Sequence, residues 1–250
     1  MKRILLTLLL AVMTIASSAQ EHFERGNQLY QKEQYAAAAK SYEAELAKGV
    51  HSAGLYFNLA NAYYKMDKVA PAVFYYEKAL LLEPNDRDIR VNLGYAHKMM
   101  IDEVKELPRA GFARLLHDFT GLFHYDTWGW IAVGLSFLVL ALFAGYYLSP
   151  VALHKRIYFF SMLGALFLVV CAAVSGIYEK ERLASERPAI IFEPIITIKG
   201  EPRPSSPDVI TLHEGSKVYV LEELGEWKKV LLPDGNDGWI KSSAIREIKL

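Results

Sequence analysis

Hydrophobic positions follow three different rhythms along this chain. From about residue 22 to residue 100 they recur every three or four residues, the spacing of one helix face. From 127 to 148 and from 157 to 178 the charged positions vanish: each stretch runs 22 residues without Asp, Glu, Lys or Arg. From 195 to 250 the period falls to two, in VITL, KVYVLEEL, EWKKVLL and GWIKSS, with Leu224-Gly225-Glu226, Asp234-Gly235 and Asp237-Gly238 as turns. The pattern predicts a multidomain chain: an all-α array, a pair of apolar helices and a small all-β barrel of five short strands.

The helical region repeats. RGNQLYQKEQYAAAAKSYEAEL from Arg25 superimposes on LANAYYKMDKVAPAVFYYEKAL from Leu59 at an offset of 34 residues. The offset pairs Asn27 with Asn61, Tyr30 with Tyr64, Ala38 with Ala72, Tyr42 with Tyr76 and Leu46 with Leu80, and it brings Gly26, Ala60 and Gly94 into register. Small residues at these points permit close helix approach, while Tyr and Leu four residues apart form an apolar stripe. The pattern resembles the tetratricopeptide repeat, with units at 22–50 and 53–86 and a third helix at 87–104, so 20–104 is read as the array. Arg25, Glu45 and Val69 depart from the family pattern. So short an array is near the minimum for a stable stack and predicts packing on a neighbouring element. The resemblance implies a concave binding face formed by the first helices. On this sequence its positions are Phe23, Asn27 and Tyr30, then Phe57, Asn61, Tyr64 and Lys65, then Val91, Tyr95 and Lys98. Asn amides there suit a peptide backbone and the two lysines suit carboxylates.

At about 1.5 Å per residue, 127–148 and 157–178 are each long enough to cross a hydrocarbon core about 30 Å thick. Tyr125, Trp128 and Trp130 at one end, and Tyr146 and Tyr147 at the other, sit where interfacial aromatics belong. The loop between them, 149–156, carries Lys155 and Arg156. Ala141/Gly145 and Ala172/Gly176 form small-xxx-small pairs. Residues 1–19 read as a signal peptide: Lys2 and Arg3, an apolar run from Ile4 to Ile15, then Ser17-Ser18-Ala19. Together these predict a multi-pass protein of the inner membrane, in contact with the lipid bilayer, with both soluble regions periplasmic. Residues 105–126 read as an amphipathic juxtamembrane helix, lying in the interface or capping the open end of the array, and 179–194 as a linker.

The segment PSSPDVITLHEGSKVYVLEELGEWKKVLLPDGNDGWIKSSAI, within 195–250, resembles a bacterial SH3-like domain. That resemblance implies binding of peptides or peptidoglycan, or an inert structural module, with Tyr219 and Trp227 as candidate contact aromatics. Lys+Arg 28 against Asp+Glu 28 provides no field for nucleic acid. Seven histidines are scattered without metal-ligand spacing, the single cysteine is Cys171, and no nucleophile or phosphate-loop motif occurs. The expectation is a protein that is not an enzyme and takes no cofactor or metal. The order of signal peptide, repeat array, transmembrane hairpin and SH3-like domain resembles the BatE-type proteins of the Bacteroides aerotolerance operon. It implies a scaffold whose partners are other Bat-family membrane or periplasmic proteins, including von Willebrand factor A-domain proteins. The alternative is a cell-wall protein that binds peptidoglycan through the SH3-like domain.

Overall fold

The structure, a computed structural model, describes residues 22–102, 111–232 and 234–249. The segment read as a signal peptide lies outside the described residues, as do 103–110 at the end of the array and the start of the juxtamembrane stretch. The chain divides into two compact units, Met1–Leu107 with Arg187–Leu250, and Pro108–Glu186.

In the first unit, helix α1 (22–31) pairs with α2 (Tyr35–Leu46) and α3 (Ala53–Tyr64) with α4 (Val69–Leu82), while α5 (Arg87–His97) begins a third hairpin. The entries to α3 and α5 are capped by Ser52 Oγ, which accepts from Leu55 N at 3.2 Å, and by Asp86 Oδ1, which accepts from Ile89 N at 2.9 Å. The small residues do what their register implied. A Cβ on Gly26 would lie 2.3 Å from the Tyr42 ring, and Ala38, Ala60 and Ala72 are fully buried. A Cβ on Gly94 would meet nothing within 4 Å, so the third small residue of the register makes no such close contact.

The C-terminal region differs from a five-stranded closed barrel. Seven strands form one antiparallel sheet in the order β3-β2-β6-β5-β4-β1-β7, whose end strands do not pair. They are β1 (Pro188–Ile191), β2 (Ile195–Lys199), β3 (Asp208–His213), β4 (Lys217–Leu224), β5 (Trp227–Leu231), β6 (Asp237–Lys241) and β7 (Ile245–Glu247). The added strand β1 falls in the stretch read as a linker, and it joins β4 to β7. Ala189 and Ile191 on β1 enter the core of the sheet with Ile198, Leu212, Val218, Val230 and Ile240.

Ile190, between them, points the other way, and with Ile248 it belongs to the core of the array. The neighbouring element that the short array needs is therefore this sheet. Phe192 meets Phe74 of α4 at 5.7 Å between ring centroids, and Arg246 stacks 4.1 Å above Phe192. Lys217 Nζ reaches Glu77 Oε2 at 2.8 Å. Asp102, just beyond α5, accepts from His213 N at 2.5 Å and Ser216 Oγ at 2.8 Å, and its other oxygen lies 2.8 Å from His213 Nδ1. Burial opposes ionisation of Asp102, but these hydrogen bonds outweigh it and hold the carboxyl below its usual range. Gly215, at φ 90°, completes the fit: a Cβ there would come within 3.0 Å of Val69 and 3.1 Å of Met100.

The second unit contains α6 (Phe112–Thr120), α7 (Tyr125–Leu148) and α8 (Ala152–Ser185). Both α7 and α8 are long and apolar enough to cross a membrane. Helix α8 extends beyond the span read from sequence at both ends, and its last turns occupy the start of the supposed linker. Ala165, Ala172 and Ser175 are buried along one side of α8. A Cβ on Gly176 would lie 3.2 Å from Trp128 Cβ, and one on Gly145 3.0 Å from the Tyr158 ring, so small residues set the spacing of α7 and α8. At the base, Trp128 Nε1 donates to Thr120 O at 2.8 Å, and buried Glu179 is held by Arg182.

Two outcomes follow from the way the sheet docks. Asp102→Ala leaves the His213 amide and the Ser216 hydroxyl without their acceptor. It should cost about 1–3 kcal/mol in unfolding experiments and speed protease cleavage in the array and the sheet together. Glu247 supplies the acid dependence. Burial opposes its ionisation, but hydrogen bonds from Arg187, Lys228 and Lys249 pull it down from 4.5 to about 2. Its folded value lies below its unfolded value, so its contribution is complete above about 4.5 and lost as pH falls towards 2. Glu247→Gln should lower stability at neutral pH and flatten the pH dependence of the melting temperature over that window.

Candidate functional site

Two adjoining clefts run across α1, α3 and α5. One, of about 270 Å³, is lined by Glu24, Asn27, Tyr30, Gln31, Tyr42, Asn58 and Asn61. The other, of about 320 Å³, is lined by Tyr30, Asn61, Tyr64, Lys65, Tyr76, Asn92 and Tyr95. They share Tyr30 and Asn61, and so form one groove. Of the residues assigned to the concave face, Asn27, Tyr30, Asn61, Tyr64, Lys65 and Tyr95 line it. Phe23 and Phe57 do not line it; each lies 6.0 Å from the ring of its own second-helix tyrosine, Tyr42 or Tyr76. Lys98 caps α5 and lies 5.3 Å from the Tyr95 ring centroid, at the edge of the groove. Exposed Val91 lies on the same helix.

The asparagines are tied into the framework in a way the sequence reading did not include. Tyr42 OH donates to Asn27 Oδ1 at 2.8 Å, and Asn58 Nδ2 donates to the same oxygen at 3.0 Å. One repeat later, Tyr76 OH donates to Asn61 Oδ1 at 2.5 Å and Asn92 Nδ2 at 3.0 Å. Each amide oxygen thus links its own helix, the second helix of its unit and the first helix of the next. Both lone pairs are used. The Nδ2 groups of Asn27 and Asn61 have no acceptor among the described residues. Burial first, then the nearby Tyr30 and Glu24, raises the Tyr42 phenol to about 12. Burial, Tyr30 and Tyr64 raise Tyr76 as well. Both phenols therefore stay protonated and keep donating throughout the neutral range. Asn58 and Asn92 were missed, although they stand one repeat apart and the same offset marks them.

The groove is electrically polarised. Glu24 lies at the α1 end, while Lys65 and Lys98 lie at the α5 end, and neither lysine has a carboxylate partner among the described residues. On the sheet, the two candidate aromatics are not brought together. Tyr219 stands opposite Leu231, and Trp227 opposite Leu224, at the two ends of the β4–β5 ladder. Lys217 Nζ lies 6.0 Å from the Tyr219 ring, on the side that bridges to the array. Among the described residues no group of three or more His, Cys, Asp or Glu side chains is arranged to hold a metal.

A double-mutant cycle measures the Tyr–Asn linkage. Tyr76→Phe should cost about 1 kcal/mol, and Asn61→Ala about 1–3 kcal/mol, because the latter strands a buried hydroxyl. The double variant should cost clearly less than the sum in denaturant unfolding. Compared with known proteins, residues 53–86, the unit built from α3 and α4, match the family described as tetratricopeptide repeat. No curated protein matches the chain. The repeat supports a role in protein–protein interaction.

Proposed function

We propose that this protein is a membrane-anchored interaction scaffold of the bacterial envelope, and that its groove holds an extended segment of a partner protein. The observation that carries this reading is the orientation of Asn27 and Asn61. With their oxygens committed to the framework, they offer a row of amide donors at repeat spacing, matched to the carbonyls of an extended backbone. Tyr30, Tyr64 and Tyr95 supply flat, half-apolar walls between the donors. The lysines favour a ligand whose acidic end lies over α5.

The anchor is the helix pair α7–α8. Phe137 is 69 % exposed, Phe160 68 % and Phe167 66 %, an amount of outward apolar surface that a soluble hairpin does not sustain in water. The N-terminal signal reading puts both soluble parts in the periplasm. We assign the C-terminal sheet to the SH3-like class, opened to dock on the array and acting as its support. The partners favoured by the module order are other Bat-type membrane proteins, including those with von Willebrand factor A domains, and the role is non-enzymatic. The cell-wall alternative lacks a comparable convergence of groups, since Tyr219 and Trp227 lie apart.

Lys65 and Tyr95 test the groove without disturbing the Asn linkage, because both are exposed. A photo-crosslinker at position 64 in native membranes should capture a discrete protein partner. Lys65→Ala with Tyr95→Ala should reduce that capture by about tenfold, roughly 1.4 kcal/mol, with no change in melting temperature. Undiminished capture in the folded double variant would overturn the groove assignment.

A further inference from the structure

The far end of the α7–α8 hairpin carries a cleft of about 580 Å³ that the scaffold role does not use. Tyr146 near the end of α7 forms one wall, and Lys155, Arg156, Phe159 and Phe160 from the first turns of α8 form the rest. No Asp or Glu occurs between residues 127 and 178, and neither cation has a carboxylate partner among the described residues. Lys155 Nζ lies 5.9 Å from the Tyr146 ring centroid, so its charge is held over the cleft wall. The start of α8 adds to the positive field. Val151 gives it no side-chain cap, and Lys155 N, bonded to Val151 O at 3.1 Å, is the first amide with an intrahelical acceptor.

The order of groups along α8 is as informative as their charge. The two cations come first, and the aromatic pair follows one turn later, about 6 Å nearer the apolar body of the hairpin at 1.5 Å per residue. Tyr146 and Phe159 lie 6.4 Å apart and Phe159 and Phe160 5.6 Å apart, so the lower part of the cleft is an aromatic wall. A bare anion would leave that wall unused. An amphiphile with a phosphate at the level of the cations and carbon chains beside the aromatics uses both.

We infer that this cleft is a binding site for an anionic phospholipid, with Lys155 and Arg156 holding the phosphate and Tyr146, Phe159 and Phe160 flanking the glycerol and first chain carbons. This rests on the proposal that α7 and α8 lie in a bilayer. Basic residues that merely set topology need no cleft and no aromatic wall beneath them, so lipid selectivity separates the two roles.

The test uses the full-length protein reconstituted in nanodiscs of phosphatidylcholine doped with phosphatidylglycerol, with lipid retention read by native mass spectrometry. The wild type should retain phosphatidylglycerol over phosphatidylcholine by about tenfold, in line with two cations near the bilayer surface. Lys155→Gln with Arg156→Gln should abolish the preference, and Lys155→Arg with Arg156→Lys should keep it. Inorganic phosphate added in excess should not displace the lipid; displacement by phosphate would assign the cleft to a free anion and overturn the lipid proposal. Extraction of native membranes with alkaline carbonate separates the underlying reading. If the wild type resists extraction yet shows no lipid preference, the cleft proposal fails and the membrane anchor stands. If the wild type is extracted, both fall. The wild-type preference decides the matter even if the glutamine variant does not fold.

Discussion

The array cannot close its own core. Two helical hairpins and one further helix leave the outer side of α4 and the end of α5 uncovered, and a repeat stack is stable only where each unit has a neighbour. The sheet supplies that neighbour. Ile190 and Ile248 enter the array's core, Phe192 packs on Phe74, and Asp102 receives the His213 amide and the Ser216 hydroxyl. Because Asp102 follows α5 directly, this anchor also fixes the helix that contributes Asn92 and Tyr95 to the groove. Docking of the sheet and the shape of the groove are therefore parts of one mechanical unit.

Within the array the amide oxygens serve stability, and in the proposed role the amide nitrogens serve recognition. The oxygen of Asn61 is held by Tyr76 and Asn92, and its nitrogen has no acceptor among the described residues. A ligand bond made by that nitrogen costs little ordering entropy, since the framework has already fixed the side chain. An asparagine on a solvent-exposed helix would have to be immobilised at the moment of binding. In the proposed role, this fixed geometry suits a shallow groove with few charges to an extended chain.

Much of this was legible in the sequence. The 34-residue offset located the units, the small residues and half of the groove lining, because helical packing is written in local spacing. The hydrogen-bonded role of Tyr42 and Tyr76 was hidden, because a tyrosine at an apolar position shows its ring to a pattern search and not its hydroxyl. Strand β1 was hidden for another reason. Ala189, Ile190 and Ile191 are all fully buried, since the strand is covered on both faces by two different cores, and so it has no alternation to read. Whether the sheet closes or opens depends on whether its end strands β3 and β7 pair, a contact between residues far apart in the chain. Tyr219 and Trp227 were chosen by residue type, and only the strand register reveals that they face different neighbours.

The chain order adds a final constraint. The array and the sheet form one unit although the α6–α8 segment is inserted between them, so their association must overcome the entropy of closing that long connection. Antiparallel packing of α7 and α8 reduces the cost. Gly176 lies against Trp128, which places the start of α7 beside the later turns of α8, so the inserted unit returns its two ends to the same side. The re-entering chain is then caught at once: Arg187 binds Glu247 and Glu223, and Pro188 begins β1.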